Sequence, residues 1–268
     1  MYKIARPSPF LSRFIKHYWT MENCMPEGQE HIQRIVPSGL PELVFYFDDK
    51  PEVNKPNHSF NESTVIGGQL NTYYDLKVSG NISLFSIIFQ PHGLSAFLDI
   101  PVQELYNQNV PLRFISKDEI HKIETRLFEA NSFKERILMI ESYFTRQLEK
   151  NDLNYNYHRI ENSICKINKT KGLLSIDDLA NDACYSRKQF ERVFTAMTGI
   201  SPGQFLKVIR FQHAIERKAL DASLNLTDIT YQCGYYDQAH MVNDFRQLSG
   251  MTPGQFFNDC EPYSDYFQ

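Results

Sequence analysis

The sequence predicts an α+β fold: an N-terminal β-sandwich or barrel with helices after it, then an all-α C-terminal domain of two repeated helical units joined by a long helix. Three observations carry this. Before Leu94 the chain is broken into short segments rich in β-branched and aromatic residues, separated by Pro, Gly, Asn and Asp. Beyond Leu94 the apolar spacing turns helical. In the last third a seven-residue motif occurs twice.

Bulk properties agree. A chain of 268 residues exceeds the roughly 100 to 200 that one core usually serves, so two domains are expected. Hydrophobic residues at 42% and charged residues at 22% mark a globular protein rather than a disordered or fibrous one. No apolar run approaches the roughly 18 residues needed to cross a bilayer, and Met1-Tyr2-Lys3-Ile4-Ala5-Arg6-Pro7 does not lead into a signal-peptide core. A cytoplasmic location without membrane contact is therefore expected. Cys24, Cys165, Cys184, Cys233 and Cys260 are scattered and never spaced C-x-x-C, which argues against disulfides and against a zinc site.

Strands are expected at 33–36, 42–47, 64–66, 73–78 and 84–90, with a polar loop at 48–62. The N-terminal β-rich domain is expected to cover 1–115. A helical region follows at 116–150, where Ser132 and Glu135 form a capping box. Phe133, Ile137, Ile140, Phe144 and Leu148 then make one apolar stripe. The stripe either packs on the strand domain or forms a helix-helix dimer seam, and the two are compatible. Polar 151–156 is the expected domain linker, and Tyr157, Ile160, Ile164 and Ile167 open a helical domain over 157–268.

Gly199-Ile200-Ser201-Pro202-Gly203-Gln204-Phe205 returns as Gly250-Met251-Thr252-Pro253-Gly254-Gln255-Phe256, 51 residues on (250 − 199). Each copy puts Ser or Thr at a helix N-cap, Pro at the first helical position and Gln where it completes a capping box. Upstream of each copy, Ile176-Asp177-Asp178-Leu179-Ala180 before Cys184-Tyr185-Ser186 matches Leu226-Thr227-Asp228-Ile229-Thr230 before Gly234-Tyr235-Tyr236-Asp237. Ser175, Ser186, Asn225 and Asp237 are placed as N-caps. Each unit reads as helix, tight turn, helix. A helix-turn-helix needs a small residue where its helices cross and one tolerating positive φ four positions later. Ala180 and Gly234 meet these demands; Thr230 and Cys184 are the departures, and a left-handed Cys184 costs about 1 kcal/mol.

This arrangement resembles the arabinose-regulator (AraC/XylS) family of bacterial transcription regulators, over Tyr157 to about Phe257 and most specifically in Leu226 to Pro253. The family's fold implies a linker helix over 202–220 and two second helices that enter the DNA major groove. Pro37-Ser38-Gly39-Leu40-Pro41-Glu42-Leu43-Val44-Phe45 and Phe89-Gln90-Pro91-His92-Gly93 are similar to a small cupin-like β-domain of some members, where it senses effectors or dimerises.

The resemblance implies site residues one by one. Ser186, Arg187, Lys188, Glu191 and Arg192 would face DNA from the first unit, Arg192 reading guanine and Glu191 accepting from cytosine. Arg210 on the linker would reach phosphate, and Asp237, Gln238, Ala239, His240 and Asn243 would serve the second unit, Asn243 reading adenine. Many relatives carry a basic residue where Asn243 stands, and Asp244 adds an acid beside it, so the second unit is expected to have little positive charge.

The net charge of −4 runs against a nucleic-acid partner, but the distribution does not. Between Tyr185 and Leu220, Arg187, Lys188, Arg192, Lys207, Arg210, Arg217 and Lys218 face only Glu191 and Glu216, a local excess of 7 − 2 = 5. Double-stranded DNA is the expected partner, with RNA polymerase a further candidate. A small-molecule effector and a homodimer stay open. So does a regulator whose N-terminal domain only dimerises or binds a protein, since Tyr18, Trp19, Phe45, Phe47, Tyr73, Tyr74, Phe85 and Phe89 serve equally as pocket or core. No catalysis, cofactor or metal is expected: His17, His31, His58 and His92 lie far apart without an H-x-H, and neither a nucleophile elbow nor a phosphate loop occurs.

Overall fold

The computed structural model describes residues 1–26, 28–53, 62–98, 100–115, 119–150 and 153–259. Most of the expected 48–62 loop, the start of the helical region at 116–118, the first two linker residues and the last nine residues, Cys260 among them, lie outside the described residues.

The N-terminal strands are β1 (Tyr2–Ala5), β2 (Ile15–Cys24), β3 (Glu30–Ile35), β4 (Glu42–Tyr46), β5 (Glu52–Val53), β6 (Thr64–Gly67), β7 (Tyr74–Ser79), β8 (Asn81–Phe89) and β9 (Asn109–Pro111). Antiparallel pairing builds one sheet in the order β1-β2-β8-β4-β6-β9 and a smaller one in the order β3-β7-β5. The smaller sheet covers one face of the larger, giving a sandwich.

The larger sheet is buried on both faces, which its sequence explains. In β4 the pleat sends Val44 and Tyr46 toward the smaller sheet, and Leu43 and Phe45 toward the helices on the other side. In β8, Ile82 and Leu84 go one way and Phe85, Ile87 and Phe89 the other. Strands buried twice read as continuous apolar runs rather than alternating ones. β2 escaped the pattern search for this reason, because its buried positions on both faces include His17 and Thr20 beside Ile15 and Tyr18. Strands as short as β1, β5 and β9 leave no usable period.

Two helices close the second face, α1 (Glu119–Glu129) and α2 (Phe133–Lys150). Ser132 Oγ accepts from the Glu135 amide at 3.2 Å, while the Glu135 carboxylate reaches back to the Asn131 amide at 2.9 Å, so the box closes one residue early. Ile140, Phe144 and Leu148 are buried against the larger sheet, with Phe133 and Ile137 packed beside them. The stripe is thus consumed inside the chain, leaving a second copy only its margins. Among the described residues no helix is long and apolar enough to cross a membrane.

The junction to the next domain is a packed joint. Asn154 caps α3 (Tyr155–Lys169), so this helix starts within 151–156. Its Tyr157 is buried 5.8 Å from the Phe14 ring and 5.1 Å from His92. Nearby, Arg13 binds the Glu161 carboxylate through two bonds of 2.9 and 2.7 Å. Burial pushes the Glu161 carboxyl up, yet His92 and Arg13 hold it well below the usual carboxylate range. A carboxyl depressed in the folded state stabilises fully above its unfolded value and loses that contribution as pH falls toward the folded one. Glu161→Gln should therefore lower stability by about 1 kcal/mol at neutral pH. In urea unfolding the gap to the parent protein should shrink steadily below about pH 4; a gap independent of pH would refute this role for the pair.

Candidate nucleic-acid interface

The C-terminal domain continues with α4 (Ile176–Asp182), α5 (Arg187–Thr198), α6 (Pro202–Leu220), α7 (Leu226–Gln232), α8 (Gln238–Ser249) and α9 (Pro253–Asp259). Every expected N-cap is made: Ser175, Ser186, Ser201, Asn225 and Asp237 each accept from the amide three residues on. At Thr252 the box is complete, since Gln255 also accepts from the Thr252 amide at 3.0 Å. Ala180 and Thr230 are buried where the paired helices cross, and Cys184 at φ 54° matches Gly234 at φ 71° in the turns. Thr230 hides its hydroxyl by donating to the Leu226 carbonyl at 2.6 Å. Cys184 is supported by Arg159, which donates to its carbonyl at 3.4 Å and stacks on Tyr155 and Tyr185 at 4.2 and 4.6 Å.

The two units match residue for residue. The offset is 50 through the first helix and turn (Ala180 to Thr230, Tyr185 to Tyr235) and 51 afterwards (Ser186 to Asp237, Phe194 to Phe245). The inserted residue is Tyr236, which is 87% exposed directly before the α8 cap. Even the pin between helices recurs. Arg187 at the head of α5 pairs with Asp177 at 3.2 Å, and Gln238 at the head of α8 donates to Thr227 at 2.8 Å.

Outward faces follow from these frames. Ser186, Lys188 and Arg192 are exposed, and Lys188 and Arg192 make no ion pair among the described residues. Glu191 is half-buried and tied to Arg187 at 3.1 Å, so both of these are partly engaged within the protein. On α8, Ala239, Asn243 and Arg246 are exposed at steps of four and three, one continuous stripe. His240 is turned toward the protein, its ring 5.3 Å from Tyr235 and its Nε2 3.7 Å from Asp244.

Asp244 corrects the charge reading of the second unit. It is 2% exposed and pairs with Lys207 of α6 at 2.9 Å, so its charge is neutralised behind the helix rather than presented beside Asn243. Arg246 was missed at the sequence level, although its step of three from Asn243 was available. Arg210 is half-buried, donating to the Gly172 carbonyl at 3.4 Å with its guanidinium 6.0 Å from the Tyr235 ring centre. Arg217 and Lys218 are likewise bound, to Gln232 and to the Ala222 and Leu224 carbonyls. The local basic excess thus resolves into a few outward charges.

The N-terminal domain meets both α5 and α8 at their C-terminal ends. The backbone and side chain of Val102 lie against Gly199, and the Tyr73 ring lies against Gly250. Both glycines have positive φ, 88° and 75°, as helix C-caps require. Arg34 bridges by holding Asp75 through two bonds, stacking on Tyr73 at 4.3 Å and donating to the Ser249 carbonyl at 3.1 Å. Arg192 stands at the edge of a cleft of about 550 Å³ between α5 and the N-terminal domain.

Residues 179–259 match a family model described as a helix-turn-helix domain, and residues 3–111 match one described as a domain of unknown function (DUF6597). Over 80 residues, 30% of this chain, the sequence is 29% identical to the HTH-type transcriptional regulator ArgR of Pseudomonas aeruginosa. Over 86 residues, 32% of the chain, it is 28% identical to the HTH-type transcriptional activator RhaR of Escherichia coli K12. Over its C-terminal helix-turn-helix domain the chain is thus similar to transcription regulators of the AraC/XylS family. The matched part spans only 24% and 30% of the length of those two relatives. Structures of ToxT from Vibrio cholerae align over 90% of this chain and 98% of theirs, at 13% identity and a TM-score of 0.48.

Lys207→Met would leave Asp244 buried without its cation, and should cost roughly 3 kcal/mol in urea unfolding. Lys207→Met with Asp244→Leu should recover most of that loss; no recovery would mean that Lys207 stabilises by packing alone.

Proposed function

We propose that this regulator binds DNA sequence-specifically through α5 and α8, which enter successive major grooves of one duplex face, and that its N-terminal domain sets their availability in response to a small molecule. The observation that carries the DNA reading is the match of the two units down to caps and pins, each presenting one outward stripe from a recognition helix. In this reading Arg192 grips guanine O6 and N7, Asn243 pairs with adenine N6 and N7, and Ala239 meets a thymine methyl. Lys188, Arg246 and the Tyr236 hydroxyl serve phosphate, aided by the α5 N-terminus at Ser186. Successive major grooves on one duplex face lie about 34 Å apart, and α6 with its 19 residues, roughly 28 Å long, would be the spacer between α5 and α8.

Support for control by the N-terminal domain comes from its hold on Gly199, Gly250 and α6, where Gln212 donates to the Pro37 carbonyl at 2.6 Å. A change in the sandwich has a short mechanical route to both helices. A cavity between the two sheets is the natural effector site.

Fluorescence anisotropy against labelled DNA from the protein's own upstream region, with scrambled competitor and a salt series, tests this. Arg192→Ala and Asn243→Ala should each reduce selectivity about tenfold or more. Arg246→Ala should weaken all sequences alike and lower the salt slope by about one. Selectivity unchanged in the first two variants would remove α5 and α8 as readers.

A further inference from the structure

The cavity between the sheets measures about 80 Å³, room for about three water-sized groups as it stands. Val44, Val65 and Leu84 supply apolar wall, and Trp19, Tyr46 and Tyr74 supply ring faces. Its polar lining is uneven. Among the described residues Glu42 is the one carboxylate of the lining, which holds neither lysine nor arginine.

Glu42 is set in this wall by the strand register. It leads β4, opposite Ile88 of β8, and the pleat turns it to the cavity side with Val44 and Tyr46. Trp19 Nε1 donates to Oε1 at 3.1 Å, and Ser86 Oγ donates to the same oxygen. Both donors occupy Oε1, which leaves Oε2 to the cavity. Two hydrogen bonds favour the ionised carboxylate while burial pushes its pKa up. His17, the other ionisable group with nitrogen in the lining, supplies no countercharge near neutral pH, because burial and then Lys16 push it down to about 4. A half-buried carboxylate that faces an apolar and aromatic cavity, with no cation beside it among the described residues, favours a ligand that brings a positive charge.

We propose that this cavity binds a small aliphatic amine, its ammonium on Glu42 Oε2 among the aromatic rings and its alkyl chain against Val44, Val65 and Leu84. The ammonium brings the missing charge and donors, and the rings add cation–π attraction. This deepens the effector reading above and rests on it only for the regulatory consequence, not for binding.

Trp19 is the sole tryptophan of the chain and already touches Glu42, so its fluorescence reports the site directly. The full-length protein is titrated with n-butylamine, n-butanol and butyrate at equal ionic strength near neutral pH, where amine and carboxylate are both charged. Saturable change is expected with the amine, at least about tenfold weaker with the alcohol and absent with butyrate. Glu42→Gln, shown folded by thermal unfolding, should lose the amine preference about tenfold while alcohol binding persists. Equal or tighter binding of alcohol or butyrate, no saturable response to any amine from ethylamine to pentylamine, or an unchanged preference in Glu42→Gln would overturn the assignment. Should Glu42→Gln fail to fold, the parent protein's ranking decides alone. DNA anisotropy on the same preparation separates the two readings: amine binding without DNA binding keeps the cavity assignment and removes the regulator.

Discussion

Helix α6 has almost no free face. Phe205 and Leu206 belong to the core of the first helix-turn-helix unit, while Val208, Phe211, Ala214 and Ile215 belong to the core of the second. Val36 of the N-terminal domain enters that second core as well, and Phe205 lies 3.2 Å from where a side chain on Gly39 would begin. Its polar positions are covered too: Lys207, Arg210 and Gln212 are half-buried and each is bound to another element. Because one rigid rod carries both cores, the relative placement of α5 and α8 is set by packing rather than by loops. Side chains packed at crystal-like density hold α5 and α8 in one relative placement.

The polar groups around this rod serve the same constraint. Lys207 leaves α6 to neutralise Asp244 on the inner face of α8, and Arg210 leaves it to bind the Gly172 carbonyl beside Tyr235. Charges that look available for DNA in a linear count are spent inside the protein, where an unpaired charge costs far more than a phosphate contact returns. This also reconciles a net charge of −4 with a DNA-binding domain. Phosphate contacts require few cations if those are outward and unpaired, as Lys188, Arg192 and Arg246 are among the described residues.

In the N-terminal domain the controlling feature is a sheet covered twice, by helices on one face and by the smaller sheet on the other. The helical side is filled by phenylalanines, with the Phe97 and Phe144 rings 4.3 Å apart. The sheet-facing side is filled less completely and keeps polar groups at its centre. That difference separates core from cavity, and it arises because a two-sheet sandwich with a short cover strand such as β5 cannot close as tightly as helices laid on a pleat.

Local chemistry alone was enough for the C-terminal domain. Caps at Ser175, Ser186, Asn225 and Asp237, the proline at the head of α6 and the repeated glycines act within one helical turn, so their meaning survives without knowledge of neighbours. The stripe of α2 and the helix that Tyr157, Ile160, Ile164 and Ile167 mark were legible for the same reason, although that helix starts two residues earlier, at Tyr155. Tertiary structure decided what depends on partners distant in sequence. It turned Asp244 inward because Lys207 lies across the helix crossing, it left Arg246 outward, and it packed the start of α3 on the N-terminal domain through Tyr157 and Glu161. It also hid β2, whose two buried faces erase the alternation that marks a strand. Periodicity records which way a residue points relative to its own element; only packing determines what it meets there.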